Sequence, residues 1–273
     1  MDLETPIMRP LALVTGASSG IGLELAKQFA EHGFDLLITA RDSDLEGPRE
    51  ILNELGADVS IFHADLSRGD GVEALYKEIK KMSRPLEAAA INAGFGSGGP
   101  FVETDLRNEL ELIRLNCMSA IHLTKRILPE MIKNGSGRIL FTSSISAITP
   151  VPFEAVYAAS KAFLFSFAES LRNELKDTGV SVTALLPGPT NTNFFRRAGL
   201  SGTKVGEKMK FQNTPEEVAR QGFVALMKGK DHVMGGTMKT KVAGAAYKII
   251  PEWAKAYVHR NMSEPGSAEE KMS

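Results

Sequence analysis

Short apolar runs alternate with longer amphipathic stretches through most of the chain. Runs such as Leu11–Thr15 (LALVT) and Asp35–Ala40 (DLLITA) have the length and composition of strands buried on both faces. The stretches between them are long enough for helices, and Gly33 and Gly56 lie where the first two helices should end. Strands separated by helices of this length pair in parallel. The alternation therefore predicts a doubly wound α/β fold around a mostly parallel sheet.

The pattern runs to about residue 186 and then breaks. The predicted strands are Leu11–Thr15, Asp35–Ala40, Val59–His63, 88–92, 138–143 and 180–186. The predicted helices are one ending near residue 32, then 45–55, 71–82, 106–132 and 155–177. Pro129 is expected to bend or end its helix early. A mobile loop at about 187–213 follows, and Thr214 with Glu217 forms a capping box that starts another helix.

No linker or solenoid repeat divides the chain, so we expect a single Rossmann-type domain over residues 1–262. A helical C-terminal extension at about 239–262 carries Tyr247, Trp253 and Tyr257, and Pro251 divides it. This extension could cover a substrate pocket, pack on a partner subunit or lie on a membrane surface, the last being the least favoured. The polar residues 263–273 are expected to form a disordered tail.

Composition and charge exclude several classes of function. The net charge is −1 and no basic stripe is present, so we expect no nucleic-acid partner. Cys117 is the only cysteine, which excludes an internal disulfide, and no Cys/His cluster has metal-ligand spacing. We therefore expect no metal site and a reducing, cytoplasmic location. The first ten residues do not resemble a signal peptide, and no apolar run of about 18 residues predicts a membrane span.

A glycine-rich turn joins the first predicted strand to the first predicted helix. Glycines here let the backbone turn sharply and approach a pyrophosphate, while the N–H groups and dipole of the following helix favour an anion. The spacing, G-x-x-x-G-x-G, differs from the usual G-x-G-x-x-G, and a tight turn without a ligand is the alternative. The position between strand and helix favours a dinucleotide. The predicted contacts are Gly16, Ser18, Ser19, Gly20, Ile21 and Gly22.

The second predicted strand ends at Thr39-Ala40-Arg41-Asp42, where a dinucleotide-binding fold meets the adenosine ribose. An arginine there pairs with a 2′-phosphate, whereas an acidic group accepts from a 2′-hydroxyl and repels the phosphate. Arg41 comes first, so we expect NADP(H) as the cofactor. Asp42 keeps NAD(H) open as the less favoured cofactor, and a solvated Arg41 without a ligand is the remaining alternative.

Tyr157-Ala158-Ala159-Ser160-Lys161 lies near the start of a predicted helix. Residues four apart share a helix face, so the phenol and the ammonium can point into one site. A lysine cation within about 4–6 Å is expected to lower the pKa of the tyrosine and fit it for acid–base chemistry. The motif alone is common on surface helices. Ser143-Ser144, however, closes the preceding strand at the carboxyl edge of the sheet, where ligands bind in open α/β folds.

Together these motifs resemble the classical short-chain dehydrogenase/reductase family. The resemblance rests on the glycine turn, Asn92-Ala93-Gly94, Ser144 and Tyr157-x-x-x-Lys161, in the family's order over about residues 10–230. It implies that Tyr157 protonates the carbonyl oxygen as hydride arrives and that Ser144 holds that oxygen. It further implies that Lys161 binds the nicotinamide ribose and tunes the tyrosine, and that Asn116 positions a water linking Lys161 to solvent.

The resemblance also implies further cofactor contacts. Asp65 and Leu66 belong to the segment that meets the adenine ring, and Pro187 with Gly188 forms the turn on the nicotinamide side. The remaining implied contacts are Asn92, Ala93, Gly94, Tyr157, Lys161, Thr190 and Thr192.

The sequence predicts the reaction type better than the substrate. Phe194, Phe195 and Leu200 suggest an apolar substrate lid, although plain core packing is the alternative. The predicted function is NADP(H)-dependent hydride transfer to or from a ketone, aldehyde or secondary alcohol with an apolar body. The rival function is a non-catalytic nucleotide-sensing or scaffolding module on the same fold. A homo-oligomer, dimer or tetramer, is expected.

Overall fold

The computed structural model describes residues 9–41, 44–207, 213–238, 240, 242 and 250–268. Its strands are β1 (Leu11–Thr15), β2 (Asp35–Ala40), β3 (Val59–His63), β4 (Leu86–Ile91), β5 (Gly137–Thr142), β6 (Val180–Pro187) and β7 (His232–Gly235). They pair in parallel in the order β3-β2-β1-β4-β5-β6-β7. The predicted doubly wound parallel α/β fold is therefore confirmed, and β7 adds a strand that the sequence pattern did not locate.

The strands contribute side chains to two hydrophobic cores, one on each face of the sheet. In β1, Leu11 and Leu13 belong to one core while Ala12 and Val14 belong to the other, as the two-residue repeat of a strand requires. Burial on both faces explains why the strands are almost continuously apolar. The order of strands reverses between β1 and β4, and the crevice beyond their carboxyl ends is where open α/β sheets bind ligands.

The helices cover both faces of this sheet. They are α1 (Gly20–Glu31), α2 (Glu46–Glu54), α3 (Gly69–Lys81), α4 (Leu106–Ile113), α5 (Ser119–Lys133), α6 (Ala155–Glu174), α7 (Phe194–Arg197), α8 (Lys204–Glu207), α9 (Pro215–Met227) and α10 (Glu252–Ser263). Buried side chains of α1, α2 and α9 fill one core, and those of α3, α5 and α6 fill the other. The predicted N-cap of α9 is confirmed, since the Glu217 N–H donates to the Thr214 hydroxyl at 3.2 Å, whereas the Glu217 carboxylate accepts from the Gln221 amide and does not complete the predicted capping box.

The predicted long helix 106–132 is interrupted earlier than expected and for a different reason. A π turn at Arg114–Met118 separates α4 from α5. Pro129 does not end α5, which continues to Lys133. Ile127 and Met131, buried on either side of the proline, hold the helix against the core despite the lost N–H. The interruption places Asn116 inside the π turn.

The described parts of the loop after β6 and residues 263–268 contain more hydrogen-bonded structure than predicted. The predicted mobile loop contains α7 and α8, and residues 208–212 lie outside the described residues. The expected disordered tail is wrong for residues 263–268. The Lys204 N–H donates to the Ser267 hydroxyl at 3.0 Å, and the Ala268 N–H donates to the Gly202 carbonyl at 3.2 Å. Polar residues that looked like a solvated tail thus pair with the backbone around α8.

The C-terminal extension is described only in part. Tyr247 lies outside the described residues, whereas Pro251 is the N-cap of α10. Trp253 and Tyr257 on α10 are exposed. Among the helices of the described residues, none combines the length and the hydropathy that crossing a bilayer requires.

Candidate active site

The glycine turn is braced by the neighbouring strand at the point where the strand order reverses. The Thr15 hydroxyl at the end of β1 accepts from the backbone N–H groups of Asn92 and Ala93, at 3.0 and 2.9 Å. The Asn92 amide in turn donates to the Thr15 carbonyl at 3.2 Å. These bonds fix the ends of β1 and β4 relative to each other, so the turn is held in place from both sides.

Two glycines of the turn are required by its geometry. Gly16 has a φ of 67°, which disfavours residues with a Cβ. A Cβ on Gly22 would lie 2.1 Å from the Gly16 carbonyl oxygen and 2.5 Å from the Asn92 amide nitrogen. The N-cap of α1, Ser19, makes no capping bond with its side chain, and the first turn of α1 carries no acidic residue. A close backbone approach and an uncapped helix N-terminus fit the pyrophosphate of a dinucleotide.

A cavity of about 410 Å³ runs from this turn to the start of α6. That volume suits a bound small molecule. The predicted site residues that line it are Gly16, Ser18, Ser19, Gly20, Ile21, Gly22, Asn92, Ala93, Gly94, Ser144, Tyr157, Lys161, Pro187, Gly188, Thr190 and Thr192. Residues scattered over most of the sequence thus meet at the carboxyl edge of the sheet.

Tyr157 and Lys161 are buried side by side on one face of α6. The Lys161 ammonium nitrogen lies 5.7 Å from the centre of the Tyr157 ring. It donates to the Thr142 carbonyl at 2.9 Å, at the end of β5. The Ser143 hydroxyl donates to the Lys161 carbonyl at 2.7 Å. The end of β5 therefore positions both the side chain and the backbone of the lysine.

The ionisation of this pair differs from expectation. Burial raises the pKa of the Tyr157 phenol above its usual range, and the Glu154 carboxyl adds to that rise, whereas contact with the Ser144 hydroxyl opposes it. Burial lowers the pKa of Lys161 to about 8, with a smaller opposing effect from Cys117. The pKa of Tyr157 is therefore raised and not lowered as expected, because the loss of solvent and the Glu154 carboxyl outweigh the contact with the Ser144 hydroxyl.

Ser144 and Asn116 occupy different layers of the site. Ser144 is buried, lines the cavity, and its hydroxyl accepts from the Ser146 N–H at 3.1 Å. Asn116 does not line the cavity. Its amide donates to the Phe95 carbonyl and to the Ser160 hydroxyl, each at 3.0 Å, and its side-chain oxygen accepts from the Phe95 N–H at 3.1 Å. The Asn116 side chain thus ties the segment after β4 to α6, directly behind the lysine.

The residues predicted to contact the adenosine lie apart from this cavity, in a shallow surface depression. Arg41 and Asp65 line it together with Glu111, and the Arg41 guanidinium pairs with the Glu111 carboxylate at 2.7 Å. The Asp65 carboxylate accepts from the Ser67 N–H and hydroxyl, at 3.0 and 2.7 Å. The Leu66 side chain is buried in a core, so only its backbone can face a ligand. Asp42 lies outside the described residues.

The structure adds cavity residues that sequence reasoning missed. Of the predicted lid residues, Phe194 and Phe195 line the cavity, and the Phe194 ring lies 5.1 Å from that of Tyr157. Leu200 is instead buried beside Gly98. The missed lining residues are Thr142, Ser143, Ile145, Ser146, Val151, Glu154, Pro189, Arg197, Val205, Thr240, His259, Met262 and Ser263. Those from the C-terminal part carry no motif, and only the fold brings them to the site.

A separate group of potential metal ligands lies elsewhere among the described residues. Donor atoms of Glu169, Asp231 and His232 lie within 4.8 Å of one another near the amino end of β7. None of the three lines the cavity. This group of potential ligands therefore lies outside the candidate active site.

Sequence comparison agrees with this geometry. Residues 10–200 match the profile of the short chain dehydrogenase family. The chain belongs to that family. This short-chain dehydrogenase is 33% identical over 193 residues to YmfI, an uncharacterized oxidoreductase of Bacillus subtilis (strain 168), a match covering 70% of this chain and 78% of the relative. Membership makes the protein an oxidoreductase on a nucleotide-binding fold.

Solved structures of similar proteins extend the likeness to the three-dimensional level. A short-chain dehydrogenase from Sphingobium yanoikuyae in complex with NADPH is 28% identical with a TM-score of 0.77, covering 88% of this chain and 94% of that one. An alcohol dehydrogenase from the archaeon Thermococcus sibiricus, complexed with 5-hydroxy-NADP, is 25% identical with a TM-score of 0.73, covering 84% and 97%. Our short-chain dehydrogenase therefore shares its fold with nicotinamide-dinucleotide enzymes.

Proposed function

We propose that this short-chain dehydrogenase uses NADP(H) to interconvert a carbonyl compound and its alcohol, acting on a ketone or aldehyde with an apolar body. One observation carries the proposal. Tyr157, Lys161 and Ser144 are buried at one end of a cavity whose other end is the glycine turn at the start of α1. That arrangement joins a turn suited to a pyrophosphate to a proton donor.

The side chains have distinct roles in this proposal. Bound NADPH would supply the hydride. Tyr157 donates its proton to the carbonyl oxygen, and the Ser144 hydroxyl donates a hydrogen bond to the same oxygen, so that both act where negative charge develops. Ser144 is oriented for this by the bond that it accepts from the Ser146 N–H.

Lys161 and Asn116 support the proton donor. The Lys161 ammonium lies between the Thr142 carbonyl and the tyrosine ring, where it can also reach a ribose hydroxyl in the cavity. All hydrogen-bonding groups of the Asn116 side chain bond to protein. The proposed water contact of Asn116 therefore belongs to its backbone carbonyl, since a π turn displaces the usual partners of a helix.

The raised pKa of Tyr157 favours carbonyl reduction over alcohol oxidation. A buried phenol keeps its proton at neutral pH and is ready to donate it. Oxidation requires the phenolate and is therefore expected to become faster as the pH rises.

The preference for NADP(H) over NAD(H) rests on Arg41. Its guanidinium lies beside Asp65 in the depression on the adenosine side, where it can pair with a 2′-phosphate. The two similar structures, which contain NADPH and 5-hydroxy-NADP, support the same choice. The Glu111 carboxylate competes for the guanidinium, so the preference should be moderate.

A homo-oligomer is also proposed, because exposed apolar side chains are concentrated around α4 and α5. These residues are Phe101, Val102, Leu106, Leu110, Met118 and Ile121. Exposed apolar side chains grouped on neighbouring elements favour association between subunits. Light scattering of the purified protein tests this, and a monomer at micromolar concentration would contradict it.

The test of the proposed function is a product analysis with a matched variant. The protein is incubated with NADPH and a mixture of ketones and aldehydes, and mass spectrometry identifies the alcohols formed. Tyr157→Phe keeps the ring but removes the transferable proton, so turnover should fall by about 10²–10⁴-fold. The affinity for NADPH should change by less than about threefold, because the substitution leaves the proposed cofactor contacts of the ring in place. Binding of NADPH with no product from any carbonyl would instead support the nucleotide-sensing module.

A further inference from the structure

Glu154 is a buried carboxyl group in the wall of the catalytic cavity. It is the N-cap of α6, three residues before Tyr157, and its side chain lines the cavity. Its Oε1 accepts from the Ser263 hydroxyl of α10 at 3.3 Å. A polar pair from opposite ends of the sequence thus lies beside the proposed proton donor.

Apolar side chains form part of the wall around this pair. Ile145, Val151, Phe194 and Met262 line the same cavity. Burying a carboxyl group in such a wall is costly unless hydrogen bonds compensate for the lost water. A carboxylate offers about four acceptor sites, and Ser263 uses one of them. Ligand groups in the cavity can therefore bond to acceptor sites of Glu154 that no described residue occupies.

We propose that Glu154 and Ser263 bind a hydroxyl group of the substrate, so that the preferred substrates are hydroxy ketones or hydroxy aldehydes. This inference rests on the proposed carbonyl chemistry and names its substrate class. The carbonyl oxygen lies against Tyr157 and Ser144, and the second oxygen of the same substrate reaches Glu154. The apolar wall holds the carbon skeleton between them.

The titratable groups that line the cavity carry both signs of charge. Tyr157 lies one turn along α6, Lys161 lies beyond it, and Arg197 and His259 line the same cavity. A carboxylate placed against Glu154 would be repelled by it, whereas a hydroxyl in that position needs no opposite charge. Burial raises the pKa of Glu154 to about 7, so both forms are present at neutral pH. A hydroxyl can donate to the carboxylate and accept from the carboxylic acid.

The test compares ketones that differ only in the hydroxyl. The pairs are 2-hydroxyacetophenone with acetophenone, 3-hydroxy-1-phenylpropan-1-one with propiophenone, and 4-hydroxy-1-phenylbutan-1-one with butyrophenone. Dissociation constants come from ligand-observed NMR titration, and kcat/KM comes from NADPH consumption. In the wild type, at least one hydroxy ketone should bind about tenfold more tightly than its partner, with the same ratio in kcat/KM.

Three variants distinguish a specific loss of hydroxyl binding from a general loss of structure. Glu154→Leu should abolish the hydroxyl preference while leaving the affinity for the deoxy ketones within about threefold, and Ser263→Ala and Glu154→Gln should reduce it to a few-fold. Glu174→Gln, at the exposed end of α6, is the matched control and should keep the full preference. If Glu154→Leu fails to fold, the other two variants carry the test, and thermal unfolding identifies that case.

The outcomes distinguish this inference from the proposed function. Equal binding within every pair, or no binding of any hydroxy ketone, overturns the inference, as does a preference that survives in the Glu154 variants. Equal NADPH consumption with both members of each pair would keep the proposed function and reject the hydroxyl site. Glu154-dependent binding without NADPH consumption would keep the hydroxyl site and reject the carbonyl chemistry.

Discussion

The two ends of the proposed cofactor groove differ in how deeply their side chains are buried. At the nicotinamide end, Tyr157, Lys161 and Ser144 are buried, and bonds to the Thr142 carbonyl and the Ser146 N–H fix Lys161 and Ser144. At the adenosine end, the Arg41 side chain is 52% exposed and pairs with a Glu111 side chain that is 41% exposed. Charges interact strongly where water is excluded and weakly where solvent screens them. The groups proposed to determine the reaction type are thus held rigidly, whereas the groups proposed to determine the cofactor preference are held loosely.

Lys161→Met should give the largest effect, because it removes a buried cation that contacts both the proposed ribose site and the tyrosine. We expect kcat/KM to fall by about 10²-fold or more, with weaker NADPH binding. Steady-state rates and a fluorescence titration of NADPH measure the two quantities. Lys176→Met, an exposed position beyond α6, is the control and should behave as wild type. A loss of less than about threefold in kcat/KM would show that the buried end is not rigidly set.

Gly22→Ala tests whether the backbone cradle between the two ends is as tightly packed as the catalytic end. The added Cβ would lie 2.1 Å from the Gly16 oxygen, so the backbone must move. We expect a loss of about 3 kcal/mol in the free energy of unfolding, measured by urea denaturation. Gly47→Ala on α2 meets no atom within 4 Å and should not destabilise the protein. Equal stability of the two variants would contradict the packing argument.

Glu154→Gln tests how much the burial of the Glu154 carboxyl lowers the free energy of unfolding as the pH rises. The folded-state pKa of Glu154 is raised from 4.5 to about 7, so between these values the folded protein holds more protons than the unfolded chain. Its contribution to stability is fully present below pH 4.5 and is lost as the pH rises through 7. Relative to Glu154→Gln, the wild type should lose about 2–3 kcal/mol between pH 5 and pH 8. Urea denaturation at each pH measures this, and a constant difference between the proteins would refute it.

Arg41→Ala tests the exposed end and should have a smaller effect. The wild type is expected to bind NADPH about ten- to a hundredfold more tightly than NADH, and the variant should lose about tenfold in NADPH affinity with NADH affinity unchanged. Both dissociation constants are measured at one ionic strength, because salt screens this contact. A wild type that prefers NADH would show that the cofactor assignment is wrong.

Glu111→Gln should give the smallest effect and in the opposite direction. It removes the carboxylate that pairs with Arg41 at 2.7 Å, so NADPH should bind about two- to threefold more tightly. The double variant with Arg41→Ala should show no such gain. A gain that persists without Arg41 would mean that Glu111 acts on the cofactor through general charge rather than through the ion pair.

The sequence was sufficient for features encoded locally. Strands buried on both faces carry continuous apolar runs, so β1 to β6 were located to within two residues. The glycine turn and the Tyr157–Lys161 pair depend on spacing within one turn or one helix, and both lie in the cavity.

Features that depend on distant contacts could not be predicted. Glu154 and Ser263 are 109 residues apart, and Arg41 and Glu111 are 70 apart, and no local pattern marks either pair. The shifted pKa of Tyr157 depends on how much protein covers it. The π turn was also not predicted, because the apolar residues before it and after it each keep the spacing of an ordinary α-helix.

The π turn at Arg114–Met118 has a consequence for which mutations this gene can tolerate. It adds one residue to an otherwise continuous helix, and the wider turn absorbs the rotation of about 100° that an additional residue would otherwise impose on everything after it. Deleting one residue there would therefore leave Leu123, Ile127 and Met131 facing the core that they fill, but it would move Asn116, which lies inside the turn. Substitutions change individual side chains of the segment, whereas a deletion changes where the Asn116 side chain and backbone lie. Descendants of this sequence are therefore expected to keep the length of the segment even where they change its residues.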